Sequence, residues 1–209
     1  MQKYFETFWK AVLAGIMIAV GGTLFLSVEN RSLGAFLFGI GLFAIFTCSL
    51  NLFTGKVGFA VVRPASFLVD LLFIWAGNLC GTWLAAALLR TTRAAGKLTQ
   101  AAAALCEAKL ADSLFSLFAL SVFCGMLMFL AADRYAGVTD PVGKNLAVFL
   151  PVMVFILSGF EHCVANMYYF SMAGVWSADA LLRMMIMTLG NAAGALFLSF
   201  SCKCLGDLK

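Results

Sequence analysis

Ser158-Gly159-Phe160-Glu161-His162-Cys163-Val164-Ala165-Asn166-Met167-Tyr168 decides how this chain is read. It follows an apolar run, Leu146 to Leu157, and precedes another apolar patch, Met172 to Trp176. It holds the only histidine of the sequence, beside a glutamate, with an asparagine four residues on. Each such group left in lipid without a partner costs several kcal/mol. The stretch therefore either leaves the membrane or is a break inside it that lines a cavity. We take the second reading, because an equivalent break occurs earlier in the chain.

The surroundings are those of an integral membrane protein. Of 209 residues, 63% are hydrophobic and 11% charged, where soluble domains carry about 25% charge. The length admits about six spans of about 20 residues, with no room for a soluble domain, so a single domain over residues 1–209 is expected. The net charge of +4 is spread over loops and is no nucleic-acid patch. The seven cysteines (48, 80, 106, 124, 163, 202, 204) read as packing residues. They form no Cys-x-x-Cys pair and no disulfide framework. A membrane enzyme built on His162 and Cys163 would need a second histidine, a metal set or a cofactor motif, and the sequence has none. No cofactor, metal or enzymatic activity is expected.

Residues 1–10, with Tyr4, Phe5, Phe8 and Trp9 beside Lys3 and Lys10, suit an anchor at the membrane interface. Six spans follow. The first runs from about Ala11 to Val28; no Ala-x-Ala-like site follows it, so it is expected to be a retained helix. The second starts near Leu33 and is interrupted at Asn51-Leu52-Phe53-Thr54-Gly55-Lys56. The third covers Phe67 to Leu89, and a short surface helix is expected over Ala101 to Leu110. The fourth runs from Leu114 to Ala132. The fifth runs from Leu146, across Pro151, into the break quoted first. The sixth runs from Leu181 to Ser201, before a short polar tail.

A repeat shows through. Gly77-Asn78-x-x-Gly81 in span three recurs as Gly190-Asn191-x-x-Gly194 in span six, an offset of 113 (190 − 77). The same offset carries Asn51 of the first break to Val164, within the second. Each half, about 8–89 and about 114–202, reads as span, broken span, span. Three spans per half force the second half upside down, and paired broken helices in inverted repeats point to a transport site. The basic residues count eight (3, 10, 56, 63, 134, 144, 203, 209) on the side of the termini and six (31, 90, 93, 97, 109, 183) on the other, which favours cytoplasmic termini.

These residues resemble the formate/nitrite transporter family. Gly159-Phe160-Glu161-His162-Cys163-Val164-Ala165-Asn166-Met167 is similar to the family's broken fifth helix, and Leu52-Phe53-Thr54 to the loop that breaks its second. Gly77-Asn78 and Gly190-Asn191 fit its Gly-Asn pairs, and Lys144 its pore lysine. The resemblance implies an aquaporin-like fold, six helices per protomer and a homopentamer with a pore through each protomer, in the cell membrane. It places His162 at the centre of the pore with Thr54 facing it. Asn78 and Asn191 would support the breaks, and Glu161 would cap backbone N–H groups there with Asn166 nearby. Phe38, Leu42 and Phe155, together with Leu52 and Phe53 of the first break, would form apolar constrictions. Ser171, where many members have proline, and Phe129, where an asparagine is frequent, depart from the pattern.

The expected cargo is formate or a similar small monovalent anion, with nitrite, hydrosulfide and short-chain carboxylates such as acetate and lactate the alternatives. Lys144 would attract the anion, low dielectric would raise the acid's pKa, and His162 would supply a proton or a hydrogen bond. A neutral-solute pore of the aquaporin type uses two Asn-Pro-Ala motifs, and this sequence contains no Asn-Pro pair.

Overall fold

The computed structural model describes residues 2–206. Lys209, counted above among the cations on the side of the termini, lies outside the described residues, as do the other residues of the polar tail from 207 on. The chain is all-α and crosses the membrane several times. Its helices are α1 (Gln2–Ser27), α2 (Arg31–Thr47), α3 (Phe53–Lys56), α4 (Phe67–Leu89), α5 (Ala95–Ala111), α6 (Leu114–Gly137), α7 (Pro141–Leu157), α8 (Cys163–Ala173) and α9 (Ala178–Cys204), with a 3₁₀ turn over Val57–Val61. Among the described residues α1, α4, α6 and α9 are long and apolar enough to cross a bilayer. The apolar helices α2 and α7 have 17 residues each and stop short.

α1 packs along α4, α6 along α9, and α2 against α7. The short segments beyond the breaks cross over: α8 lies against α4 and α1, while α3 and the 3₁₀ turn lie against α6 and α9. Every residue of α8 from Cys163 to Met172 is buried. The outer surface carries exposed Leu72, Leu88, Phe115, Phe197 and Phe200. A water-soluble monomer seldom exposes so much apolar surface, which belongs against lipid or a neighbouring subunit. Glycines set the close approaches. A Cβ on Gly81 would strike the Val12 carbonyl, and one on Gly194 would strike that of Val122.

Residues 2–10 form the first turns of α1, and Tyr4 stacks on Phe73 with ring centroids 5.0 Å apart. The surface helix is longer than expected, 17 residues, because α5 has a buried stripe of Leu98, Ala102 and Cys106 that docks on α8. Burial pushes the Cys106 thiol up to about 12, so it stays a packing group.

The helices before the two breaks end alike. Ser49 has φ 51° and Gly159 φ 73°, both left-handed. Leu50 N–H donates to the Ile45 carbonyl at 2.9 Å, and Phe160 N–H to that of Phe155 at 2.9 Å. This is the Schellman ending, which satisfies carbonyls that the truncated helix leaves open. A left-handed residue with a Cβ carries a cost of about 1 kcal/mol that glycine avoids. Ser49→Gly is therefore expected to stabilise the protein by about 1 kcal/mol and Gly159→Ser to destabilise it by about as much, read as a higher and a lower thermal unfolding midpoint in detergent. Equal midpoints for both variants would show that the left-handed conformation at these two endings does not set the cost.

Candidate functional site

A helix broken in lipid must satisfy the backbone groups that the break exposes. Here one carboxamide does so at each break. Asn78 Oδ1 accepts from Phe53 N–H at 2.9 Å, and its Nδ2 donates to the carbonyls of Ala11 at 2.8 Å and Asn51 at 2.9 Å. Asn191 Oδ1 accepts from Cys163 N–H at 2.8 Å, and its Nδ2 donates to the carbonyls of Ser121 at 2.8 Å and Glu161 at 2.7 Å. Both side chains are fully buried. Each staples the first span of its half to the chain on either side of the break.

These bonds correct the sequence register. Phe53 matches Cys163, an offset of 110 (163 − 53), and Asn51 matches Glu161 by the same offset, not Val164. The Gly-Asn pairs stand 113 apart because the second half has three more residues between break and asparagine.

The breaks meet at a hydrogen bond. Thr54 Oγ1 lies 2.9 Å from His162 Nε2, and both residues are buried. His162 is also the N-cap of α8, its Nδ1 accepting from Ala165 N–H at 3.0 Å. With Nδ1 an acceptor, the neutral ring carries its proton on Nε2 and donates it to Thr54. The threonine hydroxyl proton is then free to point elsewhere. The Phe155 ring stacks on the imidazole at 5.5 Å, and Phe38 meets Phe155 edge-on at 5.7 Å. Leu42, Leu52 and Phe53 are buried in the same apolar core as these rings. Thr54, His162, Asn78, Asn191 and the apolar set are thus brought together.

Glu161 behaves differently from expectation. Its carboxylate caps no backbone N–H. It accepts from Lys109 Nζ at 2.8 and 2.6 Å and from Asn166 Nδ2 at 2.6 Å. A carboxylate this buried needs an ionised partner, and α5 supplies it. Lys109 was counted only as a loop cation, since no local pattern in a polar segment reveals a contact 52 residues away.

Lys144 stands apart from this cluster. It lies in the first turn of α7 with its ammonium 4.5 Å from the centre of the Tyr135 ring. There it lines a cavity of about 700 Å³ together with Lys3, Lys56, Arg63, Asp70 and Leu52. Leu52 belongs both to this cavity and to the apolar junction. Of the two departures, Phe129 packs on Phe59 at 5.3 Å and against Gly58. Ser171 accepts from Trp176 Nε1 at 3.0 Å.

A family model described as Formate/nitrite transporter matches residues 1–204. Formate channel FocB of Escherichia coli (strain K12) is 27% identical over 186 residues, which cover 78% of this chain and 64% of that protein. Formate channel FocA of Haemophilus influenzae is 26% identical over 194 residues, covering 82% and 67%. The chain therefore spans about two thirds of the length of these curated relatives. A solved structure described as a pentameric formate channel with formate bound shares the fold, with a TM-score of 0.86 and 23% identity over 100% of this chain and 99% of that one. Another, described as an FNT family ion channel, has a TM-score of 0.83 at 25% identity, covering 97% and 89%.

The Lys109–Glu161 pair yields a stability prediction. Lys109→Met leaves a buried carboxylate uncompensated and is expected to cost about 3 kcal/mol. Lys109→Met with Glu161→Gln removes both charges and is expected to recover at least half of that loss. Thermal unfolding of the three proteins in one detergent checks this; a double variant no more stable than the single would show that the charge pair is not what α5 contributes.

Proposed function

This chain belongs to the formate/nitrite transporter family, and on that premise we propose that it is a homopentameric channel of the cell membrane for formate or a similar small monovalent anion. The observation that carries the reading is the Thr54–His162 hydrogen bond at the junction of two broken helices, walled by Phe38, Phe155 and Leu52. One polar pair inside an apolar wall suits a solute that must shed its water and then find a hydrogen-bond donor.

The same reading covers the architecture. Six crossings in an aquaporin-like inverted 3+3 repeat, about 8–89 and about 114–202 within a single domain 1–209, are supported by the matching Asn78 and Asn191 bonds and the matching ends of α2 and α7. Cytoplasmic termini agree with the excess of basic residues on that face. Lys3, Lys56, Arg63 and Lys144 share one cavity, while Lys97, Arg31 and Arg183 cap carbonyls of Ser27, Ile156 and Asp112 on the other face.

The chemistry runs in three stages. The cationic cavity attracts the anion. At the apolar junction, desolvation raises the acid's pKa and favours its neutral form. The threonine hydroxyl, fed by His162 Nε2–H, then donates to the substrate oxygen. In this tautomer the imidazole is a hydrogen-bond source, and the proton that neutralises the substrate comes from water at the mouth. Nitrite offers the same oxygen acceptor, and hydrosulfide, which would accept through sulfur, also remains within the reading.

Proteoliposome uptake of formate, nitrite, hydrosulfide, acetate and lactate at two pH values tests it. Faster uptake of formate at the lower pH is expected, with a lower rate in His162→Asn at both pH values. A variant that keeps both rate and pH profile would remove the histidine from the mechanism. Water or glycerol passage without anion uptake would turn the assignment to a neutral-solute pore.

A further inference from the structure

The two breaks match bond for bond but not charge for charge. At the offset of 110, Asn51 stands opposite Glu161, Leu52 opposite His162, Thr54 opposite Val164 and Lys56 opposite Asn166. In the second break the ionised group is the Glu161 carboxylate, and Lys109 and Asn166 close around it. The first break has no carboxylate. Asn51 Nδ2 donates to the Thr7 carbonyl at 3.2 Å. The ionised group is instead a half-buried lysine, Lys56, in the position Asn166 occupies in the other break. Among the described residues no carboxylate lies within ion-pair distance of the Lys56 ammonium.

The remaining charges of the cavity are engaged or outlying. Lys3 pairs with Asp70 at 2.9 Å, Lys144 rests on the Tyr135 ring, and Arg63 is exposed. A half-buried ammonium without a counter-charge among the described residues is the group in this cavity with most to gain from an anion. It sits on α3, two residues beyond Thr54, and Leu52 of the apolar junction lines the same cavity.

We propose that Lys56 holds the permeating anion: its ammonium pairs directly with a small monovalent anion in the cavity, immediately before Leu52. The proposal rests on the anion-channel reading and deepens it. It gives the first break a net positive charge where the second is neutral, so the two approaches to His162 differ electrically.

Two measurements test this on the full-length protein. The first reads local potential without regard to what permeates. A Ser49→Cys reporter in the cavity, with Cys48→Ser and Cys204→Ser, is titrated with an anionic sulfonate and a cationic ammonium thiol reagent. Lys56→Gln is expected to lower the anionic-to-cationic rate ratio about three- to tenfold, and Lys56→Arg to preserve it. The second is formate uptake. Lys56→Gln is expected to raise the half-saturating concentration several-fold and flatten its dependence on salt, with the maximal rate little changed, while Lys56→Arg resembles the parent. A rate ratio or a half-saturating concentration unchanged by Lys56→Gln overturns the proposal. Should the parent carry neither formate nor nitrite, the anion-channel reading falls, and the reagent ratio alone decides whether Lys56 sets the charge of the cavity.

Discussion

Lipid offers nothing for a peptide bond to hydrogen-bond with, and the fold depends on how two interrupted helices meet that constraint. Asn78 and Asn191 meet it with one carboxamide each, giving one acceptor to an N–H beyond the break and two donors to carbonyls on the first span and before the break. The geometry demands that the first and third spans of each half lie almost backbone to backbone. Glycine at 15 and 81, and at 125 and 194, permits it, since a Cβ at any of these would run into a facing carbonyl. The close packing and the broken helices are therefore one device.

Charge inside this frame is handled in two ways. The Glu161 carboxylate belongs to the residue next to His162, yet Lys109 neutralises it from α5, a helix outside the set long and apolar enough to cross a bilayer. An uncompensated carboxylate at that place would repel any anion near His162. On the other side of the junction, cations face a cavity of about 700 Å³ and are compensated only in part. On the proposed reading, a monovalent anion would meet positive charge first, an apolar wall next and a neutral hydrogen-bond donor last.

Much of this was legible in the chain because membrane spans are written as apolar runs. The bounds of α4, Phe67–Leu89, coincide with those read from the sequence. Both breaks were visible as clusters of polar residues and glycine in apolar surroundings. The register between the halves was not. Aligning the Gly-Asn pairs gives 113, correct for the third spans, but three extra residues in the second half leave the breaks 110 apart. α5 was read short, since alanine-rich sequence shows no strong periodicity and its buried stripe is defined only by α8. The role of Glu161 was misread for a related reason. A carboxylate at a helix start is ordinarily a cap, and here the histidine beside it takes that place.

Composition and the order of apolar and polar segments by themselves determined that this is an all-helical membrane protein with two interruptions and a single histidine in one of them. Those properties follow from transfer free energies summed along the chain, and they need no knowledge of neighbours. Only the tertiary structure decided which groups meet: Thr54 with His162 across 108 residues, Glu161 with Lys109 across 52, and Lys56 with no carboxylate among the described residues. Hydrogen bonds and ion pairs act over a few ångströms, so their partners are set by how the helices pack, which the linear sequence does not display.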